Sequence, residues 1–296
     1  SNTIAERSFA QVSGFSTLQN KLEQSFSING KAKSTLNNYL RCLAHIALHY
    51  KRSPEELSVE DIEAYLYYCQ KLHKTPSESF FKHTIFGLRA AYKVMGMEAK
   101  RIALPQIKRD LKLPIVLSQQ EVRRLLKAPK YLKHRLIIGM LYGCGLRSYE
   151  LCNLKLSDID FDRKTVFIPK KKGKIDRYVP LSKFLIRGLN TYIKTENPQI
   201  YLFNSQVTKD GAAQGLTTNG IRWVIKENRS KIGSSKKITA HTLRHTFATH
   251  LLEYGVNIVS LKELLGHAHI EMTLTYLHVA NLPSGSKFSP LDKLYD

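Results

Sequence analysis

Between Gly96 and Pro114 the helical spacing of apolar residues breaks down, and Lys100, Arg101, Lys108, Arg109 and Lys112 gather beside Pro105 and Pro114. Such a break predicts two separately folded units joined by a basic linker. The expected division is a first domain over 15–97, a linker over 98–116 and a second domain over 117–296. At 296 residues and 43% hydrophobic content, the chain can build a core for each.

The first domain reads as helices. Leu18, Leu22 and Phe26 recur at fours, Leu36, Leu40, Leu43 and Ala47 form a second stripe, and Asn29-Gly30 separates them. Ser58 is placed to cap a third helix through Ile62, Tyr65, Leu66 and Cys69, and a fourth runs from Phe80 to Val94. Together they predict a compact four-helix bundle. Lys31, Lys33 and Ser34 precede the second of these helices, where free backbone amides accept a phosphate, although the same residues would also serve as a solvated cap.

In the second domain Ser118-Gln119-Gln120-Glu121 is a capping box that opens a helix, and an apolar helix over Arg135–Tyr142 follows. The β signal is confined to Lys164–Leu181, two short runs flanking the basic tip Lys170-Lys171-Lys172-Gly173-Lys174. Further helices are expected over Phe184–Ile193 and Asn219–Ile232, the latter offering Arg222 to a phosphate. The fold class is therefore mainly α, with a small β-hairpin or sheet.

Lysine and arginine outnumber aspartate and glutamate by 22, which favours a polyanionic partner, nucleic acid before a membrane surface. No apolar run approaches the roughly 20 residues of a membrane span and no signal-peptide pattern opens the chain, so a cytoplasmic, nucleoid-associated protein is expected. Cys42, Cys69, Cys144 and Cys152 lack CxxC spacing and read as buried thiols; a reactive role for Cys144, three residues from Arg147, is the weaker reading.

One set of residues suggests chemistry. His241 and Arg244 lie three apart on a helical stretch, so they share a face. His267 follows Gly266 at a helix end, and Tyr276 follows nine residues later. A phenol needs cations on its target and a proton acceptor before it becomes a nucleophile. Arg147, just after a Gly-containing bend, adds a second guanidinium, and Glu150 is placed to brace it. Lys172 on the hairpin tip can reach a leaving oxygen, with Lys171 and Lys174 as close rivals. His241 and His245 have zinc-helix spacing, but no HExxH glutamate accompanies them and Arg244 intervenes, so neither metal nor cofactor is expected. His245, His250 and His269 are expected to be structural.

The motifs GLRSYEL at 145–151, KKGKIDRYVPL at 171–181, HTLRH at 241–245 and LGH at 265–267, with Tyr276, resemble those of the tyrosine recombinases of phage-integrase type, Xer-like members included. The resemblance spans nearly the whole chain. It implies a helical core-binding domain and an α+β catalytic domain closing as a C-shaped clamp on DNA. It also assigns roles. Tyr276 attacks the scissile phosphate to leave a 3′-phosphotyrosyl bond, while Arg147 and Arg244 hold the non-bridging oxygens. Lys172 protonates the departing 5′-oxygen, His241 assists proton transfer at the tyrosine, and His267 hydrogen-bonds the phosphate.

The implied partners are double-stranded DNA with inverted-repeat core sites and, on two duplexes, a homotetramer that passes through a Holliday junction. The free protein is expected to be a monomer or weak oligomer, and accessory DNA-bending proteins are compatible with the scheme. The leading role is integration or excision of a mobile element. Chromosome-dimer resolution and inversion use the same chemistry; a type IB topoisomerase and a non-cleaving DNA-binding regulator are the remaining alternatives. The apolar tail residues Phe288, Leu291 and Leu294 would pack on a neighbouring protomer or on their own domain.

Overall fold

The computed structural model describes residues 4–72, 78–107, 113–169, 176–205 and 214–280. The chain divides into two compact units, residues 1–110 and 111–296.

The first unit contains α1 (Ile4–Gln11), α2 (Phe15–Ile28), α3 (Lys33–Tyr50), α4 (Val59–Leu72), α5 (Glu78–Val94) and α6 (Glu98–Ala103). The stripes expected from spacing all turn inward: Leu18, Leu22 and Phe26 of α2 and Leu36, Leu40, Leu43 and Ala47 of α3 are buried together. At the start of α4, Ser58 Oγ accepts from the Asp61 amide at 3.1 Å, and the Asp61 carboxylate accepts from the Ser58 amide at 3.0 Å. This reciprocal cap satisfies two amides that a helix start leaves without partners.

Two features depart from expectation. Helix α1 precedes the expected start of the bundle and packs on α3, with the fully buried Ser8 satisfied by the Ala44 carbonyl. The stretch read as linker begins with α6, and Leu104 after it is buried in the first unit's core. Lys100, read as a cation of the basic linker, donates to the carbonyls of Glu55 and Leu57 at 2.8 and 2.9 Å, and Arg101 pairs with Glu98. A six-residue helix is too short to show a periodic stripe, which is why the sequence reads as irregular there. Lys108, Arg109 and Lys112 lie outside the described residues.

The second unit contains α7 (Gln119–Lys127), α8 (Leu132–Gly143), α9 (Ser148–Cys152), the antiparallel sheet β1 (Ile159–Asp160), β2 (Thr165–Ile168) and β3 (Arg177–Pro180), then α10 (Lys183–Glu196), α11 (Thr218–Lys231), α12 (Ala240–Glu253), α13 (Ile258–Leu265) and α14 (Glu271–Leu274). A 3-10 turn, Thr275–His278, follows. The capping box at Ser118 forms as expected. Apolar α8 lies at the centre, with Leu136, Ile137, Ile138, Met140 and Leu141 buried and α7, α10, α11 and α12 packed around it. In the sheet Val166 pairs with Val179 and Ile168 with Arg177, and all four face inward. Among the described residues no helix is long and apolar enough to cross a membrane.

Candidate active site

The site forms where the bend before α9, the first turns of α12 and the end of α13 meet. Gly145 makes the bend at φ +60°, and a Cβ there would collide with the Phe247 ring of α12. Arg147 caps α9, and Glu150 reaches back to accept from the Arg147 amide at 2.8 Å and its guanidinium at 3.0 Å.

Helix α12 starts with a Thr239 cap, so its first turn is fixed and its following residues have defined directions. Arg244, 3% exposed, donates to the Gly145 carbonyl and to the Leu265 carbonyl. Leu265 ends α13, and its carbonyl also accepts from Arg147 at 3.3 Å. The Leu264 carbonyl beside it accepts from Arg177 Nε at 2.8 Å. The last carbonyls of a helix have no intrahelical donors and carry partial negative charge, so this helix end holds three guanidiniums. Gly266 at φ +59° turns the chain away, and a Cβ there would crowd the Arg177 guanidinium at 3.0 Å.

The turn sends His267 back into the site. Arg244 lies 3.3 Å from His267 Nε2, and His267 Nδ1 lies 2.9 Å from Thr273 Oγ1. A guanidinium can only donate, so Nε2 accepts and the ring proton sits on Nδ1, donated to Thr273. The His267 ring stacks on Tyr276, centroids 6.4 Å apart and planes inclined by 16°. Tyr276 is 3% exposed, in a satellite cluster with Phe247, Ala248, Leu252, Leu261 and Leu265. Its hydroxyl meets His245 Nδ1 at 3.0 Å.

Glu150 is the anion that allows this density of cations. Burial pushes its carboxyl up, but the bidentate hydrogen bonds and charge of Arg177, the Arg147 amide and the charge of Arg244 outweigh that and hold it at about 2. Burial and the neighbouring Arg147 push Arg244 down to about 9, against Glu150, so it remains cationic at neutral pH. Burial raises the Tyr276 pKa while Arg244 and Arg147 pull it down, with a net rise. The resting phenol is therefore protonated. Two cations beside it still favour its anion once a base takes the proton.

Of the residues singled out from sequence, Arg147, Arg244, His267 and Tyr276 converge. His241 lies in the first turn of α12, its ring 6.4 Å from that of His245; desolvation, Arg244 and Arg147 hold its pKa below the usual histidine range. Its expected contact with the tyrosine is made by His245 instead. One helical turn explains this: residue 245 lies four positions further along the face that meets the 3-10 turn. Lys171, Lys172 and Lys174 lie outside the described residues, as do Phe288, Leu291 and Leu294. Lys31, Lys33 and Ser34 are exposed where α3 begins, and Arg222 is exposed on α11 beside Asn219. Burial pushes the Cys144 thiol up to about 12, so no thiolate is available there.

Sequence spacing predicts a structural role for His245 and assigns none to Arg177. Arg177 had a signal: it shares the inward phase of β3 with Val179, and a cation at an inward position requires a buried partner. For His245 the helical spacing from His241 was visible, but whether the tyrosine reaches it depends on the turn after α13.

The phage integrase family model matches residues 116–282, and the model of the phage integrase N-terminal SAM-like domain matches 18–93. A Sinorhizobium fredii protein, y4qK, named as an integrase/recombinase, is 32% identical over 94% of this chain and 89% of its own. Tyrosine recombinase XerA of Pyrococcus horikoshii is 33% identical over 85% of each chain. Among solved structures, the Tn1549 transposon integrase in complex with transposon right-end DNA has a TM-score of 0.71 at 20% identity, covering 94% of this chain and 99% of that one.

Proposed function

The chain belongs to the phage integrase family of tyrosine recombinases, and we propose that it cuts and rejoins double-stranded DNA at inverted-repeat core sites through a 3′-phosphotyrosyl bond on Tyr276. One observation carries this reading: a buried phenol faces two guanidiniums and an imidazole within a single unit. An array of that kind suits in-line displacement at a phosphate diester. Arg147 and Arg244 hold the non-bridging oxygens and stabilise the charge that builds on them. His267, fixed by Thr273, hydrogen-bonds the phosphate. Lys172 protonates the departing 5′-oxygen, and His241 assists proton transfer at the tyrosine.

The energy of the broken diester is kept in the phosphotyrosyl bond, so the chemistry calls for neither ATP nor a metal. Four protomers on two duplexes exchange one strand pair, pass through a Holliday junction and exchange the other. The net charge of +22 supports the DNA partner, and the cytoplasm is the proposed setting. Integration or excision of a mobile element is the role proposed, supported by likeness to y4qK along almost the whole chain.

The test pairs two substrates. Joining of two site-bearing duplexes, with a four-way junction as intermediate, is the expected result. Relaxation of supercoiled plasmid without any site would favour a topoisomerase, and tight binding without strand cleavage a regulator.

A further inference from the structure

Thr273 is fully buried in the short helix α14, three residues before Tyr276, and its amide donates to the Ile270 carbonyl at 2.8 Å. A buried hydroxyl needs a partner, and Thr273 Oγ1 has one in His267 Nδ1 at 2.9 Å. On the other side of that ring, His267 Nε2 accepts from Arg244 at 3.3 Å. The contacts run from guanidinium to imidazole to hydroxyl, with the ring proton on Nδ1.

That proton position does not suit a bound phosphate. Non-bridging phosphate oxygens only accept, and an Nε2 that carries a lone pair has nothing to donate to them. For His267 to hydrogen-bond the phosphate through the nitrogen beside Arg244, Nε2 must carry the proton. A second proton on the ring would set an imidazolium against a guanidinium at 3.3 Å, in a site that already holds Arg147 and Arg177. Moving the one proton across the ring adds no charge. It leaves Nδ1 with a lone pair, which then needs a donor.

We propose that Thr273 is a positioning residue that lets His267 change tautomer: its hydroxyl accepts from Nδ1 in the free protein and turns to donate to Nδ1 when a phosphate arrives at Nε2. The proposal rests on reading the pocket as a phosphodiester site. The protons balance, since Nδ1 gives one to water, Nε2 takes one from water, and the Thr273 O–H bond rotates without breaking. A hydroxyl can serve in both directions, whereas a valine of the same shape can do neither. Because α14 leads directly into the 3-10 turn, the same contact keeps the His267 ring within 16° of parallel to that of Tyr276.

Two measurements test this. Ring-nitrogen NMR spectra of histidine-labelled protein, with His267 assigned by its loss in His267→Ala, report which nitrogen is protonated. The free protein should carry the proton on Nδ1, and Tyr276→Phe bound to a duplex with the preferred site should carry it on Nε2. A proton that stays on Nδ1 in the complex, or protons on both nitrogens, would overturn the proposal. The second measurement is single-turnover adduct formation on a nicked duplex. Thr273→Val should slow it by about 10-fold or more, against ~10²-fold for loss of a whole phosphate donor, while DNA binding and unfolding temperature stay close to wild type. Thr273→Ser keeps the hydroxyl and should restore the rate. In a His267→Ala background Thr273→Val should cost nothing further, because Thr273 acts through that ring. A wild-type rate in Thr273→Val, a Thr273→Ser variant as slow as Thr273→Val, or a full penalty that persists without His267 would each overturn it. If Thr273→Val unfolds, the two spectra decide alone. Failure of the phosphodiester reading is separate, because wild type would then form no Tyr276-dependent adduct.

Discussion

Arg147 and Arg244 share one acceptor, the carbonyl of Leu265 at the end of α13. The shared oxygen sets the spacing between two like charges that would otherwise separate, and Glu150 lies within reach of both, at 3.0 and 3.9 Å. Cations held this way are in place before a phosphate arrives, so little reorganisation remains at the moment of reaction. Arg147→Ala and Arg244→Ala should each lower the rate of adduct formation by about 10²-fold or more, roughly 3 kcal/mol of transition-state stabilisation. The double variant should fall short of the product of the two, since they act on one phosphate. Single-turnover kinetics on a nicked duplex check both statements.

Glu150 and Arg177 form the buried ion pair that this arrangement depends on. Arg177→Ala would leave a carboxylate that is 12% exposed facing only Arg147 and Arg244, and a loss of about 3–5 kcal/mol of stability is expected from urea unfolding. The pH dependence has a defined sign. Because the folded-state pKa of Glu150 is depressed to about 2, its contribution is full above the unfolded value near 4.5 and is lost as pH falls toward 2. Wild type should therefore lose about 3 kcal/mol more than Glu150→Gln across that window.

Gly145 couples the bend to α12. Gly145→Ala combines a left-handed φ with a Cβ inside the Phe247 ring, so Phe247 and the Gly145 carbonyl that orients Arg244 must both move. Destabilisation of about 2 kcal/mol or more is expected, with a larger fractional loss in cleavage than in DNA binding. Thermal unfolding and adduct kinetics measured together check it.

The exposed cations Lys33 and Arg222, proposed to meet the DNA backbone, make a different kind of prediction. Lys33→Ala and Arg222→Ala should each weaken binding about equally across sequences and reduce the slope of log affinity against log salt by about one. Lys100→Ala should leave that slope unchanged, because its ammonium is bound to the Glu55 and Leu57 carbonyls. Binding titrations at several salt concentrations separate the two classes.

The helices were legible because burial of one face imposes a spacing, and the stripes of α2 and α3 are that spacing. Arg147 and His267 were legible because each sits beside a local signal, a glycine bend and a helix stop, Arg244 through its helical spacing from His241, and Tyr276 through the family motifs. What the spacing could not convey was long-range geometry. The contact of His245 with Tyr276 depends on how the chain returns after Gly266, and the inward turn of Arg177 on a partner in another element. Helix α6 escaped notice because one and a half turns leave no periodicity to read.

The central claim is that the Tyr276 phenol becomes covalently joined to DNA. A pool of nicked duplexes carrying randomised sequence, incubated with the protein and washed in denaturant, tests it directly and recovers the preferred site as well. Wild type should retain DNA through a bond that protease mapping places on the peptide holding Tyr276, and Tyr276→Phe should retain none. Equal capture by Tyr276→Phe, or attachment at any other residue, would contradict the account.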